Sequence, residues 1–339
     1  MNMTRISASI AALLVVLTIA SFGQSKVGTT AASFLGIGVG PRASAMGGAF
    51  VAAGGDASSL YWNPGAVSRP GQSQIMASHT SWLVNTSFNW VGLQLALDEA
   101  NTVGVSLTQL DYGQDDVTTV QSPEGTGQIW TAQDIAVGVS YARNLTDRFS
   151  IGGTVKYISQ RIWNESASAF AFDVGLLFIT PFNGMRLGMS LSNFGTDMQL
   201  AGKDLVHRID LDPGVNGNNK TIVASLKTDT WELPLNFRVG VAYDLLKSEQ
   251  FSFTVAADAA RPNDNDENVC IGGEASFKNI LYVRAGYKSL FLADTEEGLT
   301  AGIGVNYPIF GTTAASVDYV YQDFGIFKNV QSITLGITF

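Results

Sequence analysis

Cysteine is almost missing from this chain. Cys270 stands alone among 339 residues. That excludes an internal disulfide and any multi-cysteine metal site. Cys270 is also far from any cleavage point, so it is not an acylated amino-terminal cysteine. Histidine is nearly as scarce, with only His79 and His207, and no G-x-S-x-G occurs. No nucleophile and orienting acid can be assigned to a hydrolase built on His79. Charged residues make up 14%, against roughly 25% in soluble domains. The net charge of -9 argues against nucleic acid as a partner. After residue 23 no stretch approaches the roughly 20 apolar residues of a membrane helix. No fixed-period repeat points to a solenoid.

Alternation is what the chain has in abundance. Apolar residues take every second place, with small or polar residues between, which is the period of a strand with two unlike faces. Leu235, Phe237, Val239, Val241 and Tyr243 alternate with Asn236, Arg238, Gly240, Ala242 and Asp244. Met185, Leu187, Met189 and Leu191 alternate with Arg186, Gly188, Ser190 and Ser192. The pattern predicts strands over 72–80, 86–97, 101–111, 129–142, 148–160, 168–179, 184–194, 231–244, 249–259, 268–277, 279–289, 298–307, 312–322 and 330–339. That is about fourteen, an even number, as bacterial single-chain barrels require.

The connections decide between a barrel and a sandwich. Short ones (98–100, 144–147, 180–183, 245–248, 278, 308–311) alternate with long ones (112–128, 195–230, 260–267, 290–297, 323–329). Outer-membrane barrels have short periplasmic turns and long outer loops; a soluble sandwich gives no reason for the alternation. The fold expected is all-β, a transmembrane antiparallel β-barrel. Tyr157, Tyr243, Tyr287 and Tyr307 lie near strand ends, where aromatic girdles sit.

Before the strands the pattern differs. Residues 1–23 read as a secretory signal peptide, with Arg5, an apolar core over Ile10 to Ala20, and small residues before a cut at Gln24. Residues 24–71 form a separate segment, and 72–339 the barrel. Within the segment Gly36, Gly38 and Gly40 precede Pro41, and a run of small residues follows. Asp56 is placed to cap a helical turn that Asn63-Pro64-Gly65 ends. The segment is expected to fold inside the barrel as a plug.

FLGIGVGPRASAMGGAFVA followed by SSLYWNPGAV resembles the amino-terminal signature of the PorV/PorQ family, within the FadL-like group of outer-membrane barrels. The motif spans about a tenth of the chain and includes Arg42, Met46, Gly47, Asp56, Asn63 and Pro64. The chain departs from the pattern at Gly65, where FadL-like proteins more often carry alanine, a change expected to be tolerated. The resemblance implies a non-enzymatic protein of the Gram-negative outer membrane, associated with type IX secretion, that receives or shuttles exported proteins. Its implied partners are outer-membrane lipid and lipopolysaccharide, the barrel-assembly machinery, the type IX translocon and secreted cargo. The final strand closing on Phe339 is similar to the terminal signal read by the assembly machinery. The other reading is a passive FadL-like transporter of long-chain fatty acids or other hydrophobic molecules.

No cofactor or metal is expected. Gly38-Val39-Gly40-Pro41-Arg42-Ala43 matches G-x-G-x-x-A but lacks a βαβ setting. Asp264 to Asn268 begins like a calcium loop, yet the sixth position is Val269 and the twelfth Ala275. Lys156, Arg186, Arg238, Arg284 and Glu274 fall on the face away from lipid and are candidate lumen charges. They serve either as ties between wall and plug or as a ligand path. The loop 195–230 and Trp231 are the expected docking surface.

Overall fold

The computed structural model describes residues 27–339 apart from 183, 211–213, 215–221 and 294. The expected signal peptide lies outside the described residues. Fourteen long strands make the wall: β1 Gln74–Ser81, β2 Ser87–Ala96, β3 Asn101–Asp116, β4 Ile129–Asn144, β5 Phe149–Ile162, β6 Glu165–Ile179, β7 Arg186–Gly195, β8 Asn236–Lys247, β9 Phe251–Pro262, β10 Asn268–Phe277, β11 Leu281–Leu290, β12 Leu299–Phe310, β13 Thr313–Asp323 and β14 Asn329–Thr338. Each pairs antiparallel with the next, and β7 meets β8 across the insertion 196–235. β14 returns to β1, from Gln74↔Thr338 to Ser81↔Gln331. The sheet is therefore a closed barrel without a free edge in its wall.

The two faces differ as the alternation requires. Along β14, Gln331, Ile333, Leu335 and Ile337 are exposed, while Val330, Ser332, Thr334 and Gly336 are buried. In register around β1 to β6 runs an outward row of Ala77, Val91, Leu107, Val137, Tyr157 and Phe170. Two residues nearer the long loops, the next outward row is His79, Asn89, Gln109, Ile135, Ser159 and Ser168. The apolar band ends between these rows. β3, β5 and β6 continue past it and outrun their expected ends at 111, 160 and 168, while β4 begins at Ile129 as expected. His79 faces outward and bonds Asn89 at 2.7 Å.

The three longest connections, 117–128, 196–235 and 291–298, all lie on one end of the barrel, and the turns on the other end have six residues or fewer. On the long-loop end 82–86, 263–267 and 324–328 have five residues each, and Trp163-Asn164 is a two-residue turn with Trp163 at φ +49°. The long insertion carries its own ladders. Val206–Ile209 pairs with Ile222–Ser225, and Met198–Gln199 with Thr230–Trp231. Val206, Ile209, Val223, Leu226 and Trp231 are exposed there. Phe339 follows β14 and is held at the short-turn end. Its N–H donates to Ser73 O at 2.9 Å, and Ser73 N–H donates to Phe339 O at 3.2 Å.

The segment ahead of β1 packs on the buried face of the wall. Its first short helix, Pro41–Ala45, touches β11 to β14, and the 3-10 turn Pro64–Ala66 touches β4 to β7. A segment that meets both halves of a closed barrel on that face lies within it.

Candidate functional site

Three dockings hold the segment to the wall. The first is made by backbone. Gly47 has φ +66°. Its N–H donates to Thr300 Oγ1 at 3.1 Å, and the Thr300 hydroxyl donates to Ala45 O at 2.9 Å. A Cβ on Gly47 would sit 2.7 Å from Tyr287 O and 2.8 Å from Ile271 O. The wall answers with glycines of its own. Side chains on Gly272 or Gly286 would collide with Met46 and Gly47. Beside them Asp258 Oδ2 accepts the N–H groups of Phe50 at 2.7 Å and Val51 at 2.8 Å. Met46, Phe50 and Val51 are buried.

The second docking uses Asn63, which is fully buried. Its Nδ2 donates to Val51 O at 2.7 Å and to Leu176 O of β6 at 2.9 Å, and its Oδ1 accepts from Gly65 N at 3.0 Å. Ser150 of β5 donates to Gly65 O at 2.6 Å. One side chain thus fixes two points of the segment and one of the wall. Pro64 and Gly65 press on Gly152 and Gly175, and a Cβ on Gly65 would lie 2.5 Å from Gly175 O. Glycine at 65 is therefore a requirement of this wall, more than a tolerated departure.

The third docking is ionic. Arg42 forks onto Glu274 through Nε and Nη2, both at 2.8 Å, and reaches Asp56 at 3.1 Å. Glu274 also takes Arg284 at 2.6 Å, and Arg284 takes Asp318 at 2.5 Å. Bidentate geometry makes such pairs the strong ones. Burial opposes the charge on Arg42, but Glu274 and Asp56 outweigh it and hold the guanidinium further above its ordinary range. Asp56 also turns the chain into the helix Ser59–Trp62: its Oδ1 accepts from Ser58 N at 2.9 Å. Ser58 is the residue at the cap position, so Asp56 acts two places earlier than the sequence suggests.

The other candidate charges do not join this network. Lys156 pairs with Asp173 at 2.9 Å and Arg186 with Asp244 at 2.7 Å, both within the wall. Arg238 lies over the rings of Trp62 at 5.1 Å and Tyr61 at 5.9 Å. The pairing of β6 with β7 shifts register between Phe172 and Val174. Asp173 accepts from Asn193 N there at 2.8 Å, so the irregularity is filled by polar contacts.

Cavities remain on both sides of the docked segment. One of about 810 Å³ lies on the long-loop side, between Leu35, Ile37, Trp62 and β8 to β11. Another of about 370 Å³ lies on the short-turn side, around Arg42, Asp56 and Arg284. Residues 42–50 stand between them. Ser150, Thr300 and the wall glycines are not singled out as site residues by the sequence. Their one signal is a hydroxyl or glycine at inward places of alternating strands, and most of the lumen face shares it.

Residues 20–201 match the family described as type IX secretion system protein PorV. A search of curated proteins gave no significant match. Among solved structures, the CymD monoaromatic hydrocarbon channel is similar at 13% identity and TM-score 0.56, covering 89% of this chain and 96% of that one. The toluene transporter TodX of Pseudomonas putida is similar at 13% identity and TM-score 0.54, covering 89% and 97%. The toluene transporter TbuX of Ralstonia pickettii gives 13% and 0.51, covering 89% and 97%. These likenesses establish a shared FadL-like fold.

Proposed function

The chain belongs to the PorV family of type IX secretion proteins, and from that premise we propose that it receives or shuttles exported proteins at the outer membrane of a Gram-negative bacterium. It does so as a non-enzymatic barrel whose N-terminal segment acts as a plug. The observation that carries this reading is the docking of residues 42–65 to both halves of the wall by backbone hydrogen bonds, glycine contacts and the Arg42–Glu274 pair. A lumen filled this way gives a cargo no path through the barrel. Work is then left to the long-loop end, where the 196–235 insertion exposes Val206, Val223, Leu226 and Trp231. Exposed apolar groups on a loop are the kind of surface a protein partner covers. Outer-membrane lipid and lipopolysaccharide surround the apolar band in this reading, and the barrel-assembly machinery inserts the chain. The type IX translocon and its cargo dock at the loops.

A passive transporter of hydrophobic molecules is the competing reading. At 13% identity the hydrocarbon channels lend this chain their fold and not their cargo. A transporter also needs a way past or beside the plug, and the register shift between β6 and β7 is closed by Asp173, Asn193 and Lys156. The test is removal of the gene, followed by measurement of exported proteins and of hydrocarbon or fatty-acid uptake. Exported proteins that accumulate in the periplasm with normal uptake support the secretion role. Normal secretion with impaired uptake overturns it.

A further inference from the structure

The cavity of about 810 Å³ on the long-loop side has a charge pattern that selects its occupant. Five carboxylates line it (Asp258, Asp264, Asp266, Glu296 and Glu297) against two cations, Arg238 and Lys288. Lys288 is consumed by Glu297 at 2.5 Å. Arg238 is stacked on Trp62 and offsets Asp258 at the inner end. Among the described residues, no lining cation is left for Asp264, Asp266 and Glu296. Asp264 keeps one oxygen busy with the Thr30 hydroxyl at 2.9 Å, and Glu296 one with Ile326 N–H at 2.9 Å. Deeper in, Asp258 is 3% exposed, and its Oδ1 accepts no hydrogen bond among the described residues. Trp82 supplies aromatic wall, while the Trp62 ring is already covered by Arg238.

An excess of carboxylate beside aromatic faces attracts cations twice, by charge and by the ring quadrupole. It repels a fatty-acid carboxylate and a lipid phosphate alike. The volume lies in the range of about 300–1,000 Å³ that encloses a small ligand or a few side chains. Asp264 and Asp266 come from the loop 263–267 and Glu296 from 291–298, and among the described residues no three acidic side chains converge closely enough to hold a metal ion. That spacing suits cations carried at intervals on a chain. We propose that this vestibule binds a basic, extended polypeptide segment of an exported protein, with lysine or arginine side chains on Asp264, Asp266 and Glu296 and against Trp82. The proposal rests on the secretion reading for the source of the polypeptide.

The test uses the full mature chain in detergent micelles, with tryptophan fluorescence as the readout and hexalysine, hexaglutamate and spermidine as probes. Hexalysine is expected to bind and to weaken as salt is raised. The double variant Asp266→Asn/Glu296→Gln should weaken it at least about tenfold, and Trp82→Phe should shrink the fluorescence change. The pair Asp115→Asn/Asp116→Asn, exposed on the extension of β3, should leave binding unchanged. Equal weakening by both pairs would mean attraction to an acidic surface and overturn the site. Spermidine binding as tightly as hexalysine, or hexaglutamate binding at all, would overturn the polypeptide assignment. If hexalysine fails to bind while exported proteins still accumulate in the deletion strain, this inference fails and the secretion reading stands. If hexalysine binds but secretion is normal in that strain, the secretion reading fails and the cationic site stands.

Discussion

Substituting Gly47 by alanine adds one methyl group at the closest approach of segment and wall. The atoms it meets are the backbone oxygens of Tyr287 and Ile271, at 2.7 Å and 2.8 Å. Neither is the flexible end of a side chain, so relief needs movement of β10 and β11 or of the segment. Overpacking of this kind costs about 1–3 kcal/mol. The residue also sits at φ +66°, which adds roughly 1–2 kcal/mol for a residue with a Cβ. The sum is about 2–5 kcal/mol. Gly71 is the control, because it has φ +61° and a Cβ added there would meet nothing within 4 Å. Gly71→Ala bears the backbone cost alone, so the difference between the variants isolates the contact. Barrel unfolding in detergent is read as the rate of loss of the heat-modifiable gel band, since such unfolding is a rate more than an equilibrium. Gly47→Ala should unfold roughly 5- to 150-fold faster than Gly71→Ala, the contact cost of about 1–3 kcal/mol converted at 1.4 kcal/mol per factor of ten. Equal rates would refute the seating of Gly47 against the wall.

Other outcomes follow from the same contacts. Glu274→Ala removes the carboxylate that Arg42 and Arg284 share and leaves each with one partner, Asp56 and Asp318; it should destabilise the barrel by about 3 kcal/mol, the low end for breaking a buried pair, measured by the same band assay, whereas Glu267→Ala, at an exposed pair, should change it by less than about 1 kcal/mol. Deleting Phe339 removes the residue that zips to Ser73, and membrane-assembled yield should fall further than on deleting Gln121 from an outer loop. A protease site placed within 195–230 should be cleaved on intact cells and one at 144–147 should not; reversed accessibility would contradict the assigned orientation.

The wall was legible because its outward residues must be apolar, so lipid imposes the period on the sequence. Where that demand ends, so does the signal. β3 runs to Asp116 and β6 begins at Glu165, beyond the expected 111 and 168, because Gln133, Ser159 and Ser168 face outward above the apolar band. The two- to four-residue ladders inside 196–235 are too short to show any period. The docking of the segment was the least legible part. A run of small residues packs on any close surface, and only the facing glycines, such as Gly272 with Met46 and Gly175 with Asn63, specify which. Charge pairing was equally hidden. Glu274 serves both Arg42, 232 residues away, and Arg284, 10 residues away, and nothing in the sequence separates those partners from Arg186 or Arg238.

Planar-bilayer conductance tests the closed lumen most directly. The intact mature chain should insert without steady current, and the chain lacking 36–65 should either fail to assemble or conduct as an open pore. Steady porin-like current through the intact chain would contradict the account and favour a diffusion channel. Silence from both forms, with the deleted one fully assembled, would contradict the plug.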